Sequence, residues 1–142
     1  MMEKFEFLLG TWDLDYRIPK SRLSEAGTGA GKGTVKRALK DRYVTFDYEA
    51  ASSTGARTQA HGIFAWDEKS KLYRYWWFED SGSFMTATCH FPDDQTLFLS
   101  WQDTPYVQTF KKTGPDRVTL WMGQPGAGGK HETVLEVLMT RV

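Results

Sequence analysis

The side chains best suited to catalysis or metal binding in this chain are three histidines and one cysteine. His61, His90 and His131 lie far apart in the sequence, so none of them forms a helical metal motif with another. Only adjacent strands could bring two of them together. Cys89 alternates with apolar residues, which is typical of a small buried side chain rather than a nucleophile. No metal site and no catalytic residue is therefore predicted, and His131 is the histidine that best suits a ligand or general-base role.

Two glycine-rich stretches invite comparison with phosphate-binding loops. In the stretch 27–34, Lys32 stands where the second glycine is required, and no helical pattern follows. In the stretch 123–130, His131 replaces the serine or threonine that should come next. We interpret the two glycine-rich stretches, Gly27 to Gly33 and Gly123 to Gly129, as flexible loops at the barrel rims. The first overlaps a Gly- and Ser-rich loop from Lys20 to Gly31.

Charge and composition restrict the class of partner. The 18 Lys and Arg residues balance 18 Asp and Glu residues, so no strong field favours nucleic acid or an anionic membrane. Aromatic residues make up 15% of the chain, which favours an aromatic core or pocket. A small apolar or aromatic molecule is the expected partner.

Compartment and domain number follow from simple features. Cys89 is the single cysteine, so no intramolecular disulfide is possible. The N-terminus has no basic segment followed by a long apolar run, and no stretch approaches the ~18 apolar residues of a membrane span. We expect a cytoplasmic protein with one domain covering residues 1–142.

The elements that must position these side chains are short strands. Ten runs alternate apolar and polar residues with period two, and short turns join most of them, which predicts antiparallel neighbours. Closing such a sheet removes its unpaired edges. The sequence therefore predicts an all-β, single, closed or nearly closed, up-and-down antiparallel barrel of about ten strands, with a short helical plug at Glu3 to Leu9. The predicted strands are Thr11–Ile18, Gly33–Leu39, Tyr43–Ala51, Thr58–Trp66, Leu72–Glu79, Ser83–Phe91, Thr96–Gln102, Tyr106–Lys112, Arg117–Met122 and His131–Val142.

A first resemblance concerns barrel closure. Gly10 and Trp12 form a Gly-x-Trp on the first strand, and Arg141 lies in the last. This arrangement resembles the signature of the calycin superfamily, to which the lipocalins belong. The resemblance implies that Arg141 covers the Trp12 indole and joins the first strand to the last, with Gly10 permitting the close approach.

Two further resemblances bear on function. The chain resembles a bacterial lipocalin-like family of unknown function, and the resemblance implies a barrel with a ligand cavity. The segments that carry it are Phe7 to Trp12, His61 to Asp67, Trp77 to Gly82 and Met139 to Arg141. The chain is also similar, more distantly, to nitrobindin-type haem barrels, which hold haem through a histidine on a late strand. His131 shares parity with Arg141, so it is expected inside the barrel near the open end.

Three functions follow as hypotheses. The leading one is a binding protein, not an enzyme, that encloses a small, mainly apolar ligand and needs no cofactor. The alternatives are a haem protein or small-molecule enzyme that uses His131, and a structural homodimer with a filled barrel. Aromatic residues occupy both faces of strands four and five, and those on the outer face would need to be covered. This favours a homodimer. The parity of strand one predicts these cavity-lining residues: Tyr16, Phe46, Tyr48, Phe64, Trp76 and Trp101, with His131 at the mouth.

Overall fold

Ten antiparallel strands form a closed barrel in the computed structural model, which describes residues 1–21 and 25–142. Each strand pairs with its neighbours in sequence, and the first pairs with the last, which confirms the predicted all-β up-and-down barrel. Within the described residues, no helix is both long and apolar enough to cross a membrane. The strands are β1 (Gly10–Ile18), β2 (Gly27–Ala38), β3 (Tyr43–Ser52), β4 (Arg57–Asp67), β5 (Leu72–Glu79), β6 (Phe84–Asp93), β7 (Thr96–Trp101), β8 (Val107–Gly114), β9 (Arg117–Pro125) and β10 (His131–Arg141).

The inner face of β1 follows the period-two pattern. Trp12 and Leu14 are buried and Tyr16 is half-buried, whereas Asp13 and Asp15 are exposed. This alternation places one row of apolar side chains inside the barrel and leaves the carboxylates in solvent.

Strand β2 corrects the prediction of a flexible loop at Gly27 to Gly33. It begins at Gly27 and pairs with β1 and β3 along its whole glycine-rich half. A Cβ at Gly29 would collide with the Tyr16 ring, and one at Gly33 would collide with Phe46. Glycine is used here because aromatic rings from the neighbouring strands lie directly on the β2 backbone. Residues 22–24 of the predicted loop lie outside the described residues.

A 3₁₀ helix at Met2–Leu8 closes one end of the barrel. Its buried side chains, Met2, Phe5 and Leu8, recur every third residue, which is the period of a 3₁₀ helix. The Phe5 ring centroid lies 4.9 Å from that of Phe64 and 5.3 Å from that of Tyr73. The predicted helical plug is therefore present, and we call this end of the barrel the helix end and the opposite end the far end.

Candidate functional site

The half of the barrel interior next to the helix is solidly packed. Phe64 and Tyr75 stack with ring centroids 3.9 Å apart and an interplanar angle of 10°. Contacts of this kind exclude solvent from this half, and they supply most of the apolar burial that holds the fold together. The other inward-facing side chains here are almost fully buried: Trp12, Leu14, Val44, Leu97, Leu99, Phe110, Val118 and Met139.

The far half of the interior is different. Tyr16, Tyr48, Trp77, Met85 and Met122 also sit at inward-facing positions, yet each remains only partly buried. Because these side chains point away from the outer surface, their exposure means that solvent reaches them at the far end of the barrel. This half, lined by aromatic and thioether groups, is the candidate ligand site.

Aromatic rings from β3 and β5 form the walls of the far half. The Trp77 ring centroid lies 5.8 Å from that of Tyr48, at an interplanar angle of 58°, and 6.0 Å from that of Phe46. Between the two strands, β4 contributes only Ala60 and Gly62 at the inward positions. These small residues let rings on β3 and β5 approach each other and form a corner.

One carboxylate faces this corner. Glu79 follows Trp77 on the same face of β5, and its Oε2 accepts a hydrogen bond of 3.2 Å from the Trp77 indole N–H. Burial raises the pKa of Tyr48 to about 12, with smaller contributions from nearby Tyr16 and Glu79. Among the described residues, Glu79 forms no ion pair. Its carboxylate therefore lies beside aromatic faces, and its hydrogen-bond partner is a neutral donor, the Trp77 indole N–H.

The hydroxyl of Tyr75 has no hydrogen-bond partner among the described residues, although it is fully buried. The ring lies over Gly62, which pairs across the sheet with Trp77, so the hydroxyl is directed from the packed half toward the far half. Burial also raises the pKa of this phenol well above its usual value, so the group is a neutral donor. A buried hydroxyl without a partner costs free energy, and a ligand with an acceptor would satisfy it.

A second polar pair in the interior is already satisfied. The Trp101 indole N–H donates to Oε1 of Gln108 at 3.0 Å, and both residues are buried. This bond fixes the Trp101 ring on β7, two strands from Tyr75, with its centroid 5.7 Å from that of Tyr75.

The structure places most of the predicted cavity residues inside the barrel, but not all of them in the far half. Tyr16 and Tyr48 line the far half, and Phe46 and Trp101 lie at its base, whereas Phe64 belongs to the packed half. Their role in ligand binding stays a prediction.

The prediction for Trp76 is wrong, because odd-numbered residues of β5 face inward. Trp76 pairs across the sheet with Ile63 and Thr86 on the outer face, and Trp77 takes the interior position. The neighbouring outer residues Phe78 and Phe84 are 44% and 73% exposed. The predicted homodimer would use this face, and it stays a prediction.

The prediction that His131 points into the barrel is also wrong. A bulge between Thr133 and Leu135 adds one residue to β10, which reverses the parity of everything before it. His131 is exposed on the outer face, where its ring lies 6.0 Å from that of Trp121. It is therefore no candidate for an axial haem ligand or a general base inside the barrel.

The remaining histidines are also on the outer face. His61 Nδ1 lies 2.6 Å from Oδ1 of Asp47, its cross-strand neighbour, and His90 packs against Phe98. No group of three metal-ligating side chains occurs among the described residues. All three histidines of the chain thus point away from the interior, which offers a haem iron no imidazole.

Solved structures share this barrel at low sequence identity. Rv2717c from M. tuberculosis matches with a TM-score of 0.69 at 12% identity, over 99% of this chain and 96% of that one. The S-type phycobiliprotein lyase CPES from Guillardia theta matches with a TM-score of 0.59 at 11% identity, over 99% and 91%. A redesigned β-barrel, mFAP1, bound to DFHBI, matches with a TM-score of 0.53 at 11% identity, over 96% of each chain.

Identities this low establish a shared fold alone. No protein-family model matches the chain, and no curated protein matches it. The resemblance to the bacterial lipocalin-like family therefore stays a prediction.

Proposed function

We propose that this protein binds a small, mainly apolar, aromatic ligand in the far half of its barrel. The observation that carries the proposal is the buried Tyr75 hydroxyl, which has no partner among the described residues and is directed toward the far half, where the inward-facing Tyr48, Trp77 and Met85 keep contact with solvent. A ligand with a flat ring and a hydrogen-bond acceptor would pack against Trp77 and Tyr48 and accept from Tyr75.

The comparisons support this proposal only through the fold. One similar barrel is a redesigned protein bound to DFHBI, so this architecture accommodates a small ligand in that protein. The proposal that this chain binds a ligand rests on its own residues.

The solvent contact of the far half argues against the competing hypothesis of a structural homodimer with a filled barrel. A homodimer with a filled barrel requires side chains to fill both halves, whereas the partly exposed Tyr48, Trp77 and Met85 leave the far half in contact with solvent. Haem ligation inside the barrel through His131 does not fit this geometry, because the residue lies on the outer face.

The test uses Prodan, a fluorescent naphthalene ketone that carries a flat ring and a carbonyl acceptor. Burying about 200 Å² of probe at roughly 25 cal/mol per Å² gives on the order of 5 kcal/mol before the cost of association, so we expect weak binding, with a Kd above the micromolar range. Blue-shifted emission that saturates on titration is the expected result.

A matched pair of variants locates the site. Ala60→Trp places a large ring at an inward position between Tyr48 and Glu79 and should abolish the saturable signal. Ala51→Trp places the same ring at an outward position of β3 and should leave the signal unchanged. Equal binding by both variants, or no saturable binding by the wild type, would overturn the proposal.

A further inference from the structure

We infer that the ligand of the far half carries an ammonium group, which binds between the aromatic corner of Tyr48 and Trp77 and the carboxylate of Glu79. This inference rests on the proposed function and adds the chemical class of the ligand. It comes from the one charged side chain that the described interior places beside these aromatic faces.

The geometry of the corner suits a cation. Trp and Tyr rings attract a cation placed within about 6 Å of the ring centroid, and the attraction grows when water is excluded. The Tyr48 and Trp77 rings lie 5.8 Å apart and are tilted by 58°, so they present two faces to one point rather than covering each other.

The charge of Glu79 completes this arrangement. Its carboxylate accepts from the Trp77 indole N–H at 3.2 Å, which fixes the carboxylate at the edge of the corner. No ion pair neutralises it among the described residues, so its remaining lone pairs are available to a ligand. A half-buried anion next to two electron-rich faces favours an organic cation over a neutral or anionic group.

Tyr75 supplies an independent polar contact deeper in the barrel. Its hydroxyl, which has no hydrogen-bond partner among the described residues, lies over Gly62, on the helix side of the corner. A ligand with an ammonium group at one end and an aromatic body with an acceptor at the other would satisfy both groups at once.

The experiment compares two probes of the same shape and different charge. Trimethylphenylammonium and its neutral carbon analogue tert-butylbenzene are each titrated against the wild-type protein saturated with Prodan, and displacement is followed by emission. We expect the cation to bind about tenfold more tightly than the neutral analogue.

Two variants assign that preference to Glu79. Glu79→Gln keeps the size of the side chain and removes the charge, so the cation-to-neutral affinity ratio should fall to about one. Glu49→Gln removes the same charge from the outer face of β3 at the far end and should leave the ratio at the wild-type value.

The outcomes separate the two proposals. If Prodan binds and both displacers bind equally, the ligand-binding site stands and the ammonium inference is wrong. If the ratio changes equally in Glu49→Gln and Glu79→Gln, the preference reflects general surface charge, and the inference is also wrong. If Prodan itself shows no saturable binding, the proposed function fails first.

Discussion

The guanidinium of Arg141 lies 4.3 Å from the ring centroid of Trp12 and donates to the backbone carbonyl of Leu9. The Trp12 indole N–H in turn donates to the carbonyl of Leu8 at 2.9 Å. Two residues that pair across β1 and β10 thus hold the end of the 3₁₀ helix against the seam of the barrel. Gly10 has φ +133°, and a Cβ there would collide with Arg141, so glycine is required at this point.

We expect Trp12→Ala to lower the free energy of unfolding by about 3 to 5 kcal/mol, because it empties a fully buried site, and Arg141→Ala to lower it by about 1 to 2 kcal/mol. Arg17→Ala is the matched control, since Arg17 also joins β1 to β10, through an exposed ion pair with Glu136. That pair should contribute less than about 1 kcal/mol. Chemical denaturation measures all three, and an Arg141→Ala effect no larger than that of Arg17→Ala would contradict the role of the seam.

Tyr75→Phe should leave the free protein as stable as the wild type, or up to about 1 kcal/mol more stable, because it removes a buried hydroxyl that has no partner in the part of the chain that the structure describes. Tyr73→Phe is the control on the same strand face, since the Tyr73 hydroxyl donates to the carbonyl of Met1. Its loss should cost about 0.5 to 1.5 kcal/mol. Urea denaturation without ligand distinguishes the two, and a clear loss of stability in Tyr75→Phe would mean that its hydroxyl already has a partner.

The same Tyr75→Phe substitution should weaken Prodan binding by about tenfold, the equivalent of one hydrogen bond. It should leave unchanged the affinity for dimethylaminonaphthalene, which has the same rings and no carbonyl. Paired fluorescence titrations measure the difference. An equal change for both probes would indicate altered packing rather than a lost hydrogen bond.

Substitution of the two adjacent tryptophans of β5 should affect ligand binding differently. Trp77→Leu should weaken Prodan binding about tenfold, since it removes on the order of 50 Å² of apolar contact at roughly 25 cal/mol per Å². Trp76→Leu should have no effect on binding, because Trp76 lies on the outer face. A reversed order of effects would place the binding site outside the barrel.

Alkaline pH should destabilise the protein through Tyr48. Burial raises the pKa of Tyr48 to about 12, whereas its ordinary value is 10.0, so the folded chain keeps this proton when the unfolded chain has lost it. Stability is therefore present below pH 10 and falls as the pH rises toward 12. Tyr48→Phe should make the fall of the unfolding free energy over this pH range less steep, while the part of the fall that comes from the buried Tyr75 phenol, whose pKa is also raised, remains. Identical pH profiles for Tyr48→Phe and the wild type would contradict the burial of this hydroxyl.

The alternation of residues predicted the ten strands, because one face of each strand is apolar and the other is solvated. The assignment of faces failed at two places for local reasons. In β5, aromatic residues occupy both faces, so alternation could not decide whether Trp76 or Trp77 faces the interior. The odd-numbered face also carries Glu79, and a carboxylate normally indicates a face that is exposed to solvent. In β10, the bulge near Thr133 moved His131 outside, and nothing in the sequence marks that bulge.

The glycine-rich half of β2 shows a further limit of sequence reasoning. Alternate glycines at positions 29, 31 and 33 predict a flexible loop, since glycine has a low propensity for β-strands. Their use becomes clear only when Tyr16 and Phe46 are seen to lie against them. That the Tyr75 hydroxyl has no hydrogen-bond partner among the described residues could not be predicted either, because this depends on which groups surround the hydroxyl in space.

The central claim, that ligand binds in the far half and leaves the packed half unaltered, is tested most directly by methionine methyl NMR. Met85 and Met122 line the far half, whereas Met139 is fully buried in the packed half. On titration with Prodan, the methyl resonances of Met85 and Met122 should shift and saturate together, and that of Met139 should stay in place. Shifts confined to Met139, or no shift at Met85 and Met122 while the probe binds, would contradict the account.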